Sequence, residues 1–401
     1  MHRERIEFAN ADGHELNGIL HHAVGDPRAV AIFAHCFTCT ARSKAAVTIA
    51  REFARLGIAT LRFDFTGLGE SEGEFSATSF TTNLSDIAAA VAALEQRTGM
   101  PVELLVGHSL GGTAVLNAAI ELPQVRAVAT LGAPANPEHV GRLIRKSTVQ
   151  EGPDALEVDI GGQPFTIGKQ LLDDLSAHSM PESLADLRAA ILVMHAPLDG
   201  IVEIDNASEI FLNARHPKSF VTLDNADHLL SSEGDAQYAA RVISTWSKRY
   251  LSKPDRLEPP ADAVPGPDAV ASTRGGSFLT SLDVGGHTLI ADEPAAHGGE
   301  NLGPTPTNLL SAALAACTSM TLQMYAQHKG LALERVVTEV RHSKEKRKTA
   351  NGEETLSRFD RRIEIVGELD ADKRRRLLEI AERCPVHRTL SGPVQIETEE
   401  I

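Results

Sequence analysis

At 401 residues the chain is longer than a single hydrophobic core usually sustains, so two domains, each with its own core, are expected. A formal net charge of −15 argues against nucleic acid as the main partner, because phosphate binding needs clustered lysine and arginine; the local basic run RHSKEKRK at 341–348 reads as a solvated hairpin. The opening MHRERIEFANADG has no apolar signal region and no window reaches the roughly 18 apolar residues of a membrane span, while four cysteines are too few for a secreted disulfide scaffold; a cytoplasmic protein with no membrane partner is expected.

In chain order, IEFANADGHELNGILHH reads as a hairpin turning at Asp12-Gly13 and AVAIFAHCF as a buried strand. An amphipathic helix over Ala45 to Leu56, stopped by Gly57, leads to the strand IATLRFDF. A second helix is predicted over Asn83 to Thr98, with Leu84, Ile87, Ala88, Val91 and Leu94 on one face. VELLVGHSLGGTAVLNAA (102–119) then runs from an apolar strand through Gly107-His108-Ser109-Leu110-Gly111 into a helix of small residues, the context of a nucleophile elbow. Strands alternating with helices imply right-handed parallel crossovers, and AVATLGAPA continues the series. Residues 136–184 break the rhythm at the usual place for a cap over an active site. The sheet resumes with AAILVMHAPLDGIV, a helix to Asn213, the strand KSFVTLDNADH and a last helix through Tyr250.

A proline-rich stretch at 254–270 reads as an inter-domain linker between a first domain (1–253) and a second (271–401). The second is α+β by order: two strands around Asp283-Val284-Gly285-Gly286, a long apolar helix (Thr307 to Lys329), two strands, a charged helix (Ala371 to Arg383) and a final strand. That long helix is apolar almost all round, which implies burial on most faces.

A serine at neutral pH needs a base within hydrogen-bond reach and a third group to orient that base. Ser109 supplies the hydroxyl, Asp199 follows the strand AILVMHA, and His228 follows FVTLDNA, so acid and base come in the order serine, acid, histidine, each just after a strand. Asp224 and Asp227 are too close to His228 along the chain to face its ring, Asp205 lies in the following helix, and Asp64 is read as shaping the turn into TGLGES. The developing oxyanion needs two donors: the backbone N–H of Leu110 and that of Phe37, in the loop after AIFAH. Together, FAHCFT, LRFDFTGLGESEG, GHSLGG and NADH make residues 5–250 resemble an α/β hydrolase of the small-esterase branch that includes cinnamoyl and feruloyl esterases. The resemblance implies a mostly parallel sheet with helices on both faces, a cap, and a small acyl ester as substrate; a thioesterase or peptidase would use the same three residues. Relatives usually have glycine where this chain has Cys36. Cys36-Phe37-Thr38-Cys39 is also a C-x-x-C, which as a thioredoxin-like redox pair would want to open a helix near a βαβ start; with the loop committed to the oxyanion and a disulfide expected to strain it, the pair reads instead as two small thiols packed under the sheet edge.

Cys317 in the long helix, within GPTPTNLLSAALAACTSMTLQMYA, and Cys384 in RCPVHRTL, together with ADEP after the first hairpin, make residues 270–400 resemble the OsmC/Ohr thiol-dependent hydroperoxide reductases. The resemblance implies that Cys317 attacks the peroxide, that Cys384 resolves the sulfenic acid as a disulfide, and that partners are an organic hydroperoxide, a dithiol reductant and a second copy of the chain in an intertwined dimer. Arg274 is the candidate cation for the thiolate. Members commonly carry a glutamate just before the helix; Thr307 and Asn308 stand there, with Glu300 as a nearby substitute. The alternative is a non-catalytic dimerisation module. No metal site is expected, because histidines and cysteines do not cluster at ligand spacing, and no cofactor-binding loop is present.

Overall fold

The computed structural model describes residues 2–160, 163–178, 184–252, 267–349 and 352–400. It divides into two compact units, Met1–His287 and Thr288–Ile401. Most of the linker read at 254–270, and residues 161–162 and 179–183 of the segment read as a cap, lie outside the described residues.

The first unit opens on the hairpin β1 (Arg3–Ala9) and β2 (Glu15–His21), then β3 (Ala29–Ala34), α1 (Lys44–Arg55), β4 (Ile58–Phe63), α2 (Phe80–Thr98), β5 (Val102–His108), α3 (Leu110–Ala118) and β6 (Ala127–Leu131). Helix α2 begins three residues before the Asn83 predicted from periodicity, because Ser79 and Thr82 exchange hydrogen bonds as a capping box and satisfy the first free amides. After β6 comes the segment read as a cap. It is α4 (Glu138–Lys146), an antiparallel sheet of β7 (Thr148–Glu151), β8 (Ala155–Ile160) and β9 (Gln163–Gly168), and α5 (Lys169–Ala177). The sheet then resumes with β10 (Ala190–His195), α6 (Asp205–Asn213), β11 (Lys218–Thr222) and α7 (Glu233–Ser247).

Eight strands form one sheet in the order β1-β2-β4-β3-β5-β6-β10-β11, antiparallel at the β1, β2 and β4 edge and parallel across the rest. The strand β3 shows why. Val30, Ile32 and Ala34 enter a core with α2, α3 and the cap, whereas Ala29, Ala31 and Phe33 enter a second core with α1 and α7. A strand buried on both faces must be apolar throughout, which is what a parallel sheet covered by helices demands. The strands β12 (Ala269–Thr273) and β13 (Thr280–Val284), an antiparallel pair, complete this unit.

The second unit contains β14 (His287–Ala291), α8 (Pro306–Lys329), the antiparallel pair β15 (Leu333–Thr349) and β16 (Gly352–Gly367), α9 (Ala371–Ala381) and α10 (Pro385–Ser391). Its core is small: Leu322, Leu377, Ile380 and Ala381, with Tyr325, Val336 and Ile363 against them. Two expectations are corrected here. Helix α8 is not buried on most faces; Leu314, Thr318, Leu322 and Ala326, four residues apart, form its one buried stripe, and Met320 (66 %) and Met324 (69 %) stay exposed. It is the one helix among the described residues long and apolar enough to cross a membrane by length and composition. The final strand is replaced by α10, because Cys384 caps and Pro385 starts a helix, and 393–400 pairs with no strand among the described residues.

A Cβ on Gly111 would collide with the carbonyls of His35 and Ala34, whereas one on Gly275 meets nothing. Gly111→Ala is therefore expected to cost about 1–3 kcal/mol in a denaturant melt, and Gly275→Ala less than about 0.5 kcal/mol.

Candidate active site

β5 ends at His108 and α3 starts at Leu110, leaving Ser109 alone in the turn at φ 54° and ψ −127°. A serine is uncommon at positive φ and is held there only by its surroundings. Its amide donates to the Leu131 carbonyl at 2.8 Å on the neighbouring strand. Gly107 and Gly111 are required by the same turn, since a side chain on Gly107 would meet the Gly111 backbone.

Three loops bring the remaining groups to this point. The His228 Nε2 lies 3.0 Å from Ser109 Oγ, and its Nδ1 lies 2.7 Å from Asp199 Oδ2. With Nδ1–H facing a carboxylate, Nε2 is left as the acceptor for the serine proton. Asp199 Oδ1 accepts from the amides of Ile201 (2.9 Å) and Val202 (3.0 Å), which fixes the carboxylate plane. Burial pushes the Asp199 carboxyl up, but the His228 hydrogen bond and those two amides outweigh it and leave the group below the usual range. Asp227 instead accepts from the Ser231 amide, and Asp64 accepts from Ala41 and Glu70, organising the turn after β4.

Two buried histidines escaped the sequence reading. The His108 ring donates through Nε2 to the His228 carbonyl at 2.6 Å, and burial, with the charge of His228 second, lowers its pKa to about 4, so it remains a neutral clamp on the His228 loop. His195 donates to the Val202 carbonyl at 2.8 Å beside Asp199. Each sits at the end of a strand next to a named site residue, but histidine in those positions carries no periodic signal of its own.

Phe37 and Leu110 line one narrow cleft with Phe75 and the cap residue Leu171. Among the described residues neither the Phe37 nor the Leu110 amide is taken up by another hydrogen bond. Rings of Phe37, Phe75 and Phe165 form a chain from this cleft to β9 of the cap, with centroids 5.6 and 5.9 Å apart. The reading of Cys36 and Cys39 as two packed thiols is overturned: they form a disulfide. Three residues of separation and a tight turn bring their Cα atoms to 5.2 Å, within disulfide range.

In the second unit Cys317 and Cys384 are free thiols, the first partly accessible and the second buried. Cys384 caps α10, its sulfur accepting from the His387 amide at 3.3 Å, and Thr318 Oγ1, on the residue after Cys317, lies 3.8 Å from that sulfur. The guanidinium that reaches Thr318 is that of Arg361, unforeseen from sequence, which donates to Thr318 Oγ1 (2.9 Å), the Ala381 carbonyl (3.1 Å) and Glu382 (2.7 Å). Arg274 falls in the first unit, where its charge acts on His22. Glu300 belongs to a loop gathered round the buried Asp292, to which its amide donates at 3.0 Å. The one metal-compatible group among the described residues is His2, Glu4 and His22, whose donors lie within 4.8 Å of one another, although Glu4 already pairs with Arg97 at 2.7 Å.

An eight-stranded, mostly parallel sheet with a serine on its strand-to-helix turn and an imidazole and carboxylate at the same rim defines an α/β hydrolase. Residues 25–150 match the family profile described as serine aminopeptidase, S33, and residues 298–399 match that of the OsmC-like proteins. The esterase domain of a Rhodothermus marinus protein is 42% identical, covers 63% of this chain and all of its own, and superposes with a TM-score of 0.53. Est1E of Butyrivibrio proteoclasticus, solved with ferulic acid, shares 20% identity over 61% of this chain and 99% of its own (TM-score 0.55), a likeness of fold. An uncharacterised protein, YfhR of Salmonella typhi, is 26% identical over 236 residues, 58% of this chain and 76% of its own. The chain belongs to the α/β-hydrolase family, esterase type, joined to an OsmC-like domain.

Because the Asp199 pKa is lower folded than unfolded, its stabilising contribution is fully present above the unfolded value near pH 4 and is lost as pH falls through the folded value. Asp199→Asn should therefore lower the urea midpoint at pH 7 and show a shallower further decline below pH 4 than the parent chain.

Proposed function

We propose that the chain is a bifunctional enzyme: a serine hydrolase of small carboxylic esters in residues 1–253, lidded by 136–184, and a cysteine-based hydroperoxide reductase in residues 271–401. The observation that carries the first activity is the continuous relay from Ser109 Oγ through His228 to Asp199, at 3.0 and 2.7 Å. In this reading His228 Nε2 takes the serine proton as Oγ attacks the acyl carbon, and Asp199 orients the ring and stabilises the imidazolium. The Leu110 and Phe37 amides receive the oxyanion. His228 then returns the proton to the departing alcohol, and water repeats the sequence on the acyl-enzyme. Thioesters and peptides would pass through the same steps; the 42% identity to an esterase domain supports the ester.

For the second activity, Cys317 thiolate would displace the alkoxide from an organic hydroperoxide and become a sulfenic acid. Cys384 would condense with it, releasing water, and a dithiol would reduce the disulfide. The near approach of Thr318 to the Cys384 sulfur supports placing the two thiols in one site, with Arg361 as its cation. The alternative, an OsmC-like domain serving as a homodimer module without catalysis, is favoured by Thr307 and Asn308 where a glutamate is usual and by the uncovered Met320 and Met324 face of α8.

Ser109→Ala should lower kcat on a 4-nitrophenyl ester by 10⁴-fold or more while leaving hydroperoxide consumption unchanged; a small loss would reject the serine as nucleophile. One equivalent of cumene hydroperoxide should remove two titratable thiols per chain, assigned by mass to Cys317 and Cys384. No loss would leave the dimer-module reading in place of the peroxidase.

A further inference from the structure

We propose that the Cys36–Cys39 disulfide is a thiol–disulfide exchange site that sets the hydrolytic rate at Ser109, its reagent class being a dithiol and the corresponding disulfide. The proposal rests on the reading of Ser109 as nucleophile and of the Phe37 N–H as an oxyanion donor. Three observations tie the disulfide to that donor. Cys36 to Cys39 form a tight turn in which the Cys39 amide donates to the Cys36 carbonyl at 3.1 Å. Its third residue, Thr38, has φ +61°, a position that favours glycine or asparagine and that a β-branched residue adopts only under constraint. The peptide that must swing if Thr38 leaves that region is next to Phe37. The disulfide closes the same four residues covalently, adding its restraint to that hydrogen bond and to the one the Thr38 hydroxyl donates to the Phe37 carbonyl at 2.6 Å.

The surroundings connect the turn to the chemistry on both sides. His35 donates through Nδ1 to the Cys36 carbonyl at 2.8 Å, and the backbone of His35 lies directly against Gly111, two residues after the nucleophile. The Phe37 ring leans on Phe75 and through it on Phe165 of the cap. A shift of this turn therefore moves an oxyanion donor and one wall of the cleft together.

The exposure is asymmetric: Cys36 is buried at 4 % and Cys39 is half-buried. An incoming thiolate thus reaches the Cys39 sulfur, and the Cys36 sulfur leaves as a thiolate that takes up a proton. The reagent's second thiol then attacks the mixed disulfide, freeing Cys39 as a thiol and leaving the reagent as its own disulfide; two electrons pass from reagent to protein. Oxidised reagent reverses each step. With the cross-link open, Thr38 relaxes and the Phe37 N–H is no longer pre-aimed, so the transition state loses stabilisation while the bound ester loses little.

The test is ester hydrolysis by the full chain on 4-nitrophenyl acetate across a series of reduced-to-oxidised dithiothreitol ratios, with alkylation and peptide mass mapping at each ratio. The expected result is that kcat falls at least tenfold as alkylated Cys36 and Cys39 appear, recovers on reoxidation, and changes far more than KM. The double variant Cys36→Ser, Cys39→Ser should sit at the reduced rate and ignore the reagent; should it fail to fold, the titration of the parent chain decides alone. Equal kcat in both states, or a fully oxidised sample without the Cys36–Cys39 linked peptide, would overturn the proposal. Ser109→Ala run in parallel separates the two failures: retained hydrolysis rejects the serine reading and this inference with it, whereas a dead variant beside a redox-insensitive parent rejects only the inference.

Discussion

The passage from β5 into α3 is so tight that Gly107 and Gly111 have no space for a side chain, and Ser109, midway between them, is forced to positive φ. That constraint is what presents a serine oxygen at the rim of the sheet. It also fixes the neighbours: the Ser109 amide is tied to Leu131 on β6, and the carbonyls of Ala34 and His35 press on Gly111 from β3. The strands that flank the elbow therefore carry the loops that meet it. Asp199 and His228 arrive from β10 and β11, further along the same edge, and the buried rings of His108 and His195 tie their loops down. Backbone strain at one residue is stored against a sheet buried on both faces.

Much of this first unit could be read from residues alone because its signals are local. Apolar runs such as AVAIFA and AILVMH announce strands buried on both faces, and the glycine spacing about Ser109 has a steric cause that operates within five residues. For Cys36 and Cys39 the sequence points away from the bond that the structure contains. A disulfide in an oxyanion loop looks costly from sequence, but with Thr38 at φ +61° the two Cα atoms stand 5.2 Å apart, within the range a disulfide spans. His108 and His195 were missed for a different reason: their importance comes from which carbonyl each faces, a long-range fact with no periodic trace.

The second unit was harder to read because its helix has no partner-independent pattern. An all-round apolar helix implies enclosure, yet a single chain encloses only the stripe from Leu314 to Ala326. Sequence reports that a face is apolar; what covers it is another matter. Likewise, Arg361 reaches Thr318 and the Cys384 environment from a long strand far along the chain from both cysteines, so no spacing rule could have selected it over the other arginines of β16.

The account stands on Ser109 being made nucleophilic by His228, and its most direct test is covalent. Stoichiometric treatment of the full chain with a fluorophosphonate, followed by peptide mass mapping, should place one phosphonyl group on Ser109, with labelling slowed at least a hundredfold in His228→Ala. Labelling at another residue, or labelling of Ser109 that is indifferent to His228, would contradict it.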